Sequence, residues 1–159
     1  MEENQFLTFL SGTETFAVDI HSVKEIKECS HITTIPLMPN SVLGVINLRG
    51  NVVPIIDLQI RIGRDKSKIS KRTCIIIVEV RYTDEKMDVG LLVDAVSEVI
   101  DIPLTDIEKA PSFGSKIRND FIKSIGKIEG RFIIILNTIN VLSIDELSVV
   151  ENVSLTLKE

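Results

Sequence analysis

A chain of 159 residues and 17.7 kDa holds one ordinary domain, or two small subdomains around a shared core, which excludes a large multidomain enzyme. Hydrophobic residues make up 44% and charged residues 26%, enough to bury a sizeable core and too apolar for disorder. A net charge of −5, no Trp and a single Tyr leave little of the electrostatic footprint or stacking surface that nucleic-acid binding uses.

The 25 Ile and 16 Val against three Ala favour strands over helices throughout. From the N-terminus, QFLTFL (5–10) and the strictly alternating ETFAVDI (14–20), in which Phe16, Val18 and Ile20 face one way, predict strands joined at Ser11-Gly12-Thr13. Ser22-Val23-Lys24-Glu25 has the form of a capping box. It predicts a helical turn in which Glu25 needs no partner beyond the backbone N–H of Ser22. Strands follow at ITTIPL (32–37), VLGVINL (42–48) and VVPIIDL (52–58), the last two folding back through Arg49-Gly50-Asn51. Pro54 has no N–H to donate, so its strand is expected at an edge or bulged there.

RIGRDKSKISKR (61–72) holds six bases of twelve residues and one acid, and without aromatics or regular spacing it reads as a solvated connection. Beyond it, TCIIIVEV (73–80) and DVGLLVD (88–94) predict strands around a turn at Tyr82 to Lys86. SKIRNDFIKSI spaces Ile117, Phe121 and Ile125 as a helix would, while the overlapping IKSIGKI (122–128) suits a strand, and the pattern leaves both open. Glu129-Gly130-Arg131 turns the chain into FIIILNT (132–138), and the capping box Ser143-Ile144-Asp145-Glu146 predicts a short helix.

Motifs for a phosphate cradle, a nucleophile elbow or a zinc site are absent. His21, His31 and Cys29 lack zinc-knuckle spacing, and no metal is expected. Acids such as Glu25 and Glu28, or Asp101 and Asp106, read as solvated strand-end charges. Cys29 and Cys74 lie 45 positions apart with no leader pattern at the start of the chain, which suggests reduced thiols in the cytoplasm. The longest apolar runs, CIIIV and FIIIL, fall far short of the roughly 20 residues that span a bilayer.

The chain also echoes itself. Offset by 80, VINLRGNVVPIIDL (45–58) lies over IGKIEGRFIIILNT (125–138) and sets Gly50 on Gly130; offset by 73, VKEIKE (23–28) lies over VSEVID (96–101). Two echoes in the same order predict two similar β subdomains. Arg49, beside the turn glycine, is either a solvated tip charge or a fork held against a carboxylate, and its counterpart in the second half is Glu129.

The series FAVDIHSVKEIKE, GVINLRGNVVPIIDL, VGLLVDAVSEVIDI and GKIEGRFIIILN resembles the CheW family of chemotaxis coupling proteins over roughly residues 5 to 150. The resemblance implies an all-β fold of two intertwined five-stranded SH3-like β barrels with short helices. Subdomain one would span about 14–70, and subdomain two about 73–140 plus the chain ends, with 151–159 as a tail of no assigned role. The length leaves no room for a receiver or kinase module, so a stand-alone adaptor is the nearest match. It implies a non-catalytic protein without cofactors, linking the cytoplasmic tip of methyl-accepting chemotaxis receptors to the regulatory domain of the CheA histidine kinase at the inner face of the membrane. By position in the matching motifs, Val23, Glu25, Leu48, Arg49, Val96 and Val99 would face the receptor. Met38, Pro39 and Gly44 would face the kinase, with Gly50 and Gly130 as structural turns. The alternative from another class is a β barrel that binds single-stranded nucleic acid through the 61–72 loop, and a third is a small hydrolase with acids in an inter-barrel cleft.

Overall fold

The computed structural model describes residues 4–82, 85–109 and 119–142. Eleven strands appear among them: β1 (Gln5–Ser11), β2 (Glu14–Asp19), β3 (Val23–Glu28), β4 (Val42–Leu48), β5 (Asn51–Asp57), β6 (Cys74–Tyr82), β7 (Glu85–Val93), β8 (Ala95–Asp101), β9 (Ile107–Glu108), β10 (Ile122–Ile128) and β11 (Arg131–Leu136). Two helical turns, α1 (Leu58–Arg61) and α2 (Thr138–Val141), follow β5 and β11. The strands form two sheets, one ordered β3-β6-β7-β5-β4 and the other β8-β1-β2-β11-β10-β9.

The all-β expectation holds, and the internal echo is an architectural repeat. Placing β3 on β8, β6 on β1, β7 on β2, β5 on β11 and β4 on β10 superimposes the two strand orders, and each pair of neighbours keeps its sense. The parallel pairs fall in equivalent register, Ile55 opposite Gly90 and Ile135 opposite Ala17. Intertwining follows from this order, because the N-terminal hairpin β1–β2 completes the sheet of the second half. The expected division had placed 14–70 and 73–140 in separate subdomains. Hydrogen bonding instead puts β6 and β7 with β3, β4 and β5, and β2 with β8, β10 and β11. Neither sheet closes on itself through the strand pairs of the described residues.

Burial explains why these segments pair. Phe9, Phe16, Val18, Ile56, Ile76 and Leu91 meet in a central cluster drawn from both sheets. Ile46, Leu48, Val53, Ile55, Ile75 and Ile77 form a second cluster within the five-stranded sheet, and Phe6, Ala17, Ile102, Ile133 and Ile135 a third within the other. β6 reads CIIIV because both of its faces are covered: Ile76 and Val78 point to the shared core, Ile75 and Ile77 to the sheet's own. Fully burying each such aliphatic contributes about 1.5–3 kcal/mol.

Several expected elements change. Val23 to Glu28 is a strand, preceded by a 3-10 turn at Ile20–Ser22 whose cap is Asp19, accepting from the N–H of His21 at 2.9 Å. Pairing with β6 overrides the capping-box pattern because alternate residues of β3 are half-buried. Residues 32–37 form no strand and leave only a bridge between Thr33 and Val45. Pro54 lies in an interior strand, opposite Val45 of β4 and just before β5 begins pairing with β7 at Ile55. Residues 122–128 form a strand, preceded by a 3-10 turn at Asn119–Phe121. The capping box at 143–146 lies outside the described residues.

Candidate functional site

The two hairpins β4–β5 and β10–β11 turn in two residues, and both turn residues have positive φ: Arg49 (51°) with Gly50 (87°), and Glu129 (49°) with Gly130 (77°). This is the type I′ geometry whose twist matches the flanking strands. A Cβ on either glycine would meet nothing within 4 Å, so the glycines serve the backbone conformation rather than space. The Asn47 carboxamide accepts from the N–H of Gly50 at 2.8 Å and pins the first turn.

Pinned there, Arg49 does not point freely into water. Its guanidinium donates to a carboxylate oxygen of Glu25 on β3, so the fork alternative is the one realised and Glu25 is no capping residue. That hydrogen bond holds Glu25 below its ordinary value, partial desolvation opposing it, and holds Arg49 above its own. The pair joins the tip of β4–β5 to the opposite edge of the same sheet. Beside it, Lys24 reaches Asp88 at 3.0 Å and Glu79 at 3.9 Å, and Lys86 reaches Glu79 at 3.7 Å, around a cavity of about 330 Å³. Sequence reasoning missed this network because Asp88 and Glu79 stand far from Lys24 along the chain and meet it only through β6 and β7.

The edge strands match as well. β3 carries an irregularity in its pairing with β6 between Val23 and Glu25, and the register of β8 with β1 shifts opposite Leu7 to Phe9. There Thr8 Oγ donates to the carbonyl of Glu98 (2.8 Å) and accepts from its N–H (3.2 Å). Val23 and Val96 are half-buried against the central cluster. Val99 is 49% exposed and its repeat partner Ile26 is 44% exposed. Ile26 was also missed, although the 73-residue offset sets it on Val99.

The remaining candidates fall in two groups. Leu48 is only 2% exposed and packs in the five-stranded sheet's cluster, so it supports the tip from beneath rather than presenting a surface. Gly44 is also buried, with φ 155°, where a Cβ would come within 2.1 Å of the Thr33 carbonyl oxygen. Met38 packs against the central cluster and the carbonyl of Pro39 accepts from the N–H of Val42 at 2.9 Å. The large apolar residue this loop exposes is Leu37, in left-handed conformation at φ 64°. Among the described residues no three His, Cys, Asp or Glu side chains gather as a metal site, both cysteines are free, and no helix is long and apolar enough to cross a membrane. Burial raises the Cys29 thiol above its ordinary value.

Two related sheets, each ending in a bulged edge strand with an exposed aliphatic, and one hairpin tip fixed by an ion pair, define an all-β scaffold. The CheW-like domain model matches residues 5–146, and the chain belongs to that family. It is 31% identical over 150 residues to chemotaxis protein CheW of Klebsiella aerogenes, covering 94% of this chain and 88% of that one. It is 37% identical to chemotaxis protein CheW of Helicobacter pylori, covering 89% and 82%. The crystal structure of scaffolding protein TtCheW from Thermoanaerobacter tengcongensis superimposes with a TM-score of 0.80 at 36% identity, over 92% of both chains.

Proposed function

We propose that this chain is a non-catalytic scaffold adaptor of a chemotaxis signalling complex, coupling the cytoplasmic tip of methyl-accepting receptors to the regulatory domain of the CheA histidine kinase. Family membership supports the adaptor role, and the Arg49–Glu25 pair is the observation that supports the position of its binding face. A tip anchored across its own sheet presents Arg49, 66% exposed, in one orientation against β3, the strand that also carries the half-buried Val23 and the exposed Ile26. Less side-chain entropy is then lost when a partner docks. An amphipathic receptor helix would lay its apolar stripe against Val23, Ile26, Val96 and Val99 while its charges meet Arg49 and Glu25. The loop at Leu37, Met38 and Pro39, seated by the tight Gly44 crossing, would serve the kinase. The protein would act in the cytoplasm, drawn to the membrane's inner face through the receptors.

The test is a pull-down of the purified chain against a receptor-tip fragment and the CheA regulatory domain, with Arg49→Glu alongside. Wild type should retain both, and the variant should bind one of them roughly tenfold more weakly, as truncated interfacial charge pairs do. Wild type binding neither would overturn the adaptor reading. A folded variant binding both as wild type does would remove Arg49 from the interface.

A further inference from the structure

The basic segment after α1 is exposed along most of its length, as a solvated connection would be, but it is pinned at two points. Asp57, fully buried, accepts from the N–H of Gln59 (3.0 Å), the N–H of Ser67 (2.9 Å) and the hydroxyl of Ser67 (2.6 Å). Further along, the hydroxyl of buried Thr73 accepts from the N–H of Ser70 at 2.8 Å. With Ser67 drawn inward, its neighbours Lys66 and Lys68 are turned out to solvent. They line a cleft of about 630 Å³ together with Arg64, Arg72, Asp65 and Asp94. Asp94 is committed to the N–H of Gly12 at 2.8 Å, and Arg64 to Glu14 at 2.6 Å, whereas Lys66, Lys68 and Arg72 have no ion-pair partner among the described residues.

Six bases and one acid give residues 61–72 a net +5, which leaves −10 on the other 147 residues. Nothing in the fold demands this. The repeat offsets carry Gln59 to Ile139 and Asp94 to His21, and those two line a matching cleft of about 530 Å³ whose single cation is Lys123. A cationic, hydrogen-bond-rich cleft of this volume, held in place before any ligand arrives and without an aromatic wall for a base, suits a compact polyanion.

We propose that this cleft binds an oligophosphate group, with Lys66, Lys68 and Arg72 as its charge partners. Arg49 lies at the turn where β5 begins and the cleft where it ends, a seven-residue strand or about 20 Å away, so the ligand would not compete at the tip.

The experiment is an amide NMR titration of the full chain at low ionic strength with inorganic triphosphate, beside the exposed double variant Lys66→Gln/Lys68→Gln. Saturable shifts at residues 64–72 and Ala95 are expected, with affinity at least about tenfold lower in the double variant and falling as salt rises. Orthophosphate should bind more weakly than triphosphate. Vesicles containing phosphatidylglycerol, whose headgroup has one phosphate, form a separate arm: binding that needs Lys66 and Lys68 there, without saturable shifts from soluble triphosphate, would mean a membrane surface and overturn the proposal. The absence of saturable shifts with triphosphate, unchanged affinity in the variant, or tighter binding of oligothymidylate than of triphosphate would each overturn it as well.

Discussion

The five-stranded sheet and its repeat in the six-stranded sheet share strand order, pairing sense, edge-strand irregularities and type I′ tips, yet they differ where a side chain meets a neighbour. In the first, Arg49 reaches Glu25; in the second, the same two positions hold Glu129 and Glu98, whose like charges cannot form that pair. The backbone of one half is therefore a control for the other. What the halves share answers to folding, and what separates them is free to answer to partners. The sharpest differences lie at the bulge, the helix cap, the tip and the seam, and each can be tested against its counterpart.

The largest effect is expected at the bulge of β4. Pairing shifts between Val42 and Gly44 and, at the repeat positions, between Ile122 and Ser124. Both strands then take a partner on their outer side: Val45 from Thr33, with two backbone hydrogen bonds of 2.9 Å, and Ile125 from Glu108 of β9. The second half accommodates a Cβ at Ser124, but one at Gly44 would stand 2.1 Å from the Thr33 carbonyl and hold a left-handed φ. Gly44→Ala should therefore lower unfolding free energy by about 3 kcal/mol, the upper end of overpacking effects, while Ser124→Ala stays within about 0.5 kcal/mol. Urea midpoints of the two variants decide this. Equal losses would mean that the bulges are not held by their crossing strands.

The caps come next. Asp57 and Asn137 both cap the turn after a hairpin, but Asn137 accepts one N–H, from Asn140 at 3.2 Å, where Asp57 accepts three hydrogen bonds and anchors the basic loop. Asp57→Ala should cost about 2–3 kcal/mol, from the lost cap and the unsatisfied Ser67 groups, against about 1 kcal/mol for Asn137→Ala. Thermal unfolding at matched pH measures the difference, and comparable losses would show that the loop is held from elsewhere.

These contrasts mark how far the residues alone could be read. The hairpins, their turns and the repeat were legible because alternation and turn chemistry are local: Gly50 and Gly130 announce their turns, and 42–48 and 122–128 have the strand bounds that the pattern suggests. β3 and β8 were not read as strands, because VKEIKE and VSEVID mix charges with few apolar residues and become strands by pairing with β6 and β1 across the fold. The strand assigned to 32–37 failed for the opposite reason: its aliphatics fit a strand, but only Thr33 finds a partner. The site was half legible. Arg49 and Glu25 could be named, and their pairing stood as one outcome beside charges met on the receptor; which one holds depends on how the sheet's edge returns to its tip, and Leu48 read as a surface residue until burial placed it below.

The tip separates stability from binding. Arg49→Glu removes an exposed pair, and exposed pairs contribute about 0–1 kcal/mol, so the melting temperature should fall by no more than a few degrees. Receptor or kinase retention should nonetheless drop roughly tenfold. Glu129→Arg in the other half gives Glu98 a possible partner and should leave both measurements near wild type. If the two variants weaken retention equally, the asymmetry between the halves is not what the partners read.

The smallest effect belongs to the seam between the halves. Glu14, on β2 of the six-stranded sheet, takes two contacts from Arg64 beyond α1 of the other, at 2.6 and 2.7 Å. The hydrogen bond from Arg64 holds its carboxyl below the ordinary value of 4.5, against desolvation that raises it. A folded-state pKa below the unfolded one means that this pair's contribution is complete above about pH 4.5 and is lost as pH falls through the folded value. Both side chains are about a third exposed, so solvent screens the pair and leaves a fraction of a kcal/mol. Glu14→Gln should melt slightly below wild type near neutrality, and the gap should close on acidification below about pH 4.5 as wild-type Glu14 is itself protonated. A gap that stays constant with pH would make the loss one of packing at the seam rather than of charge.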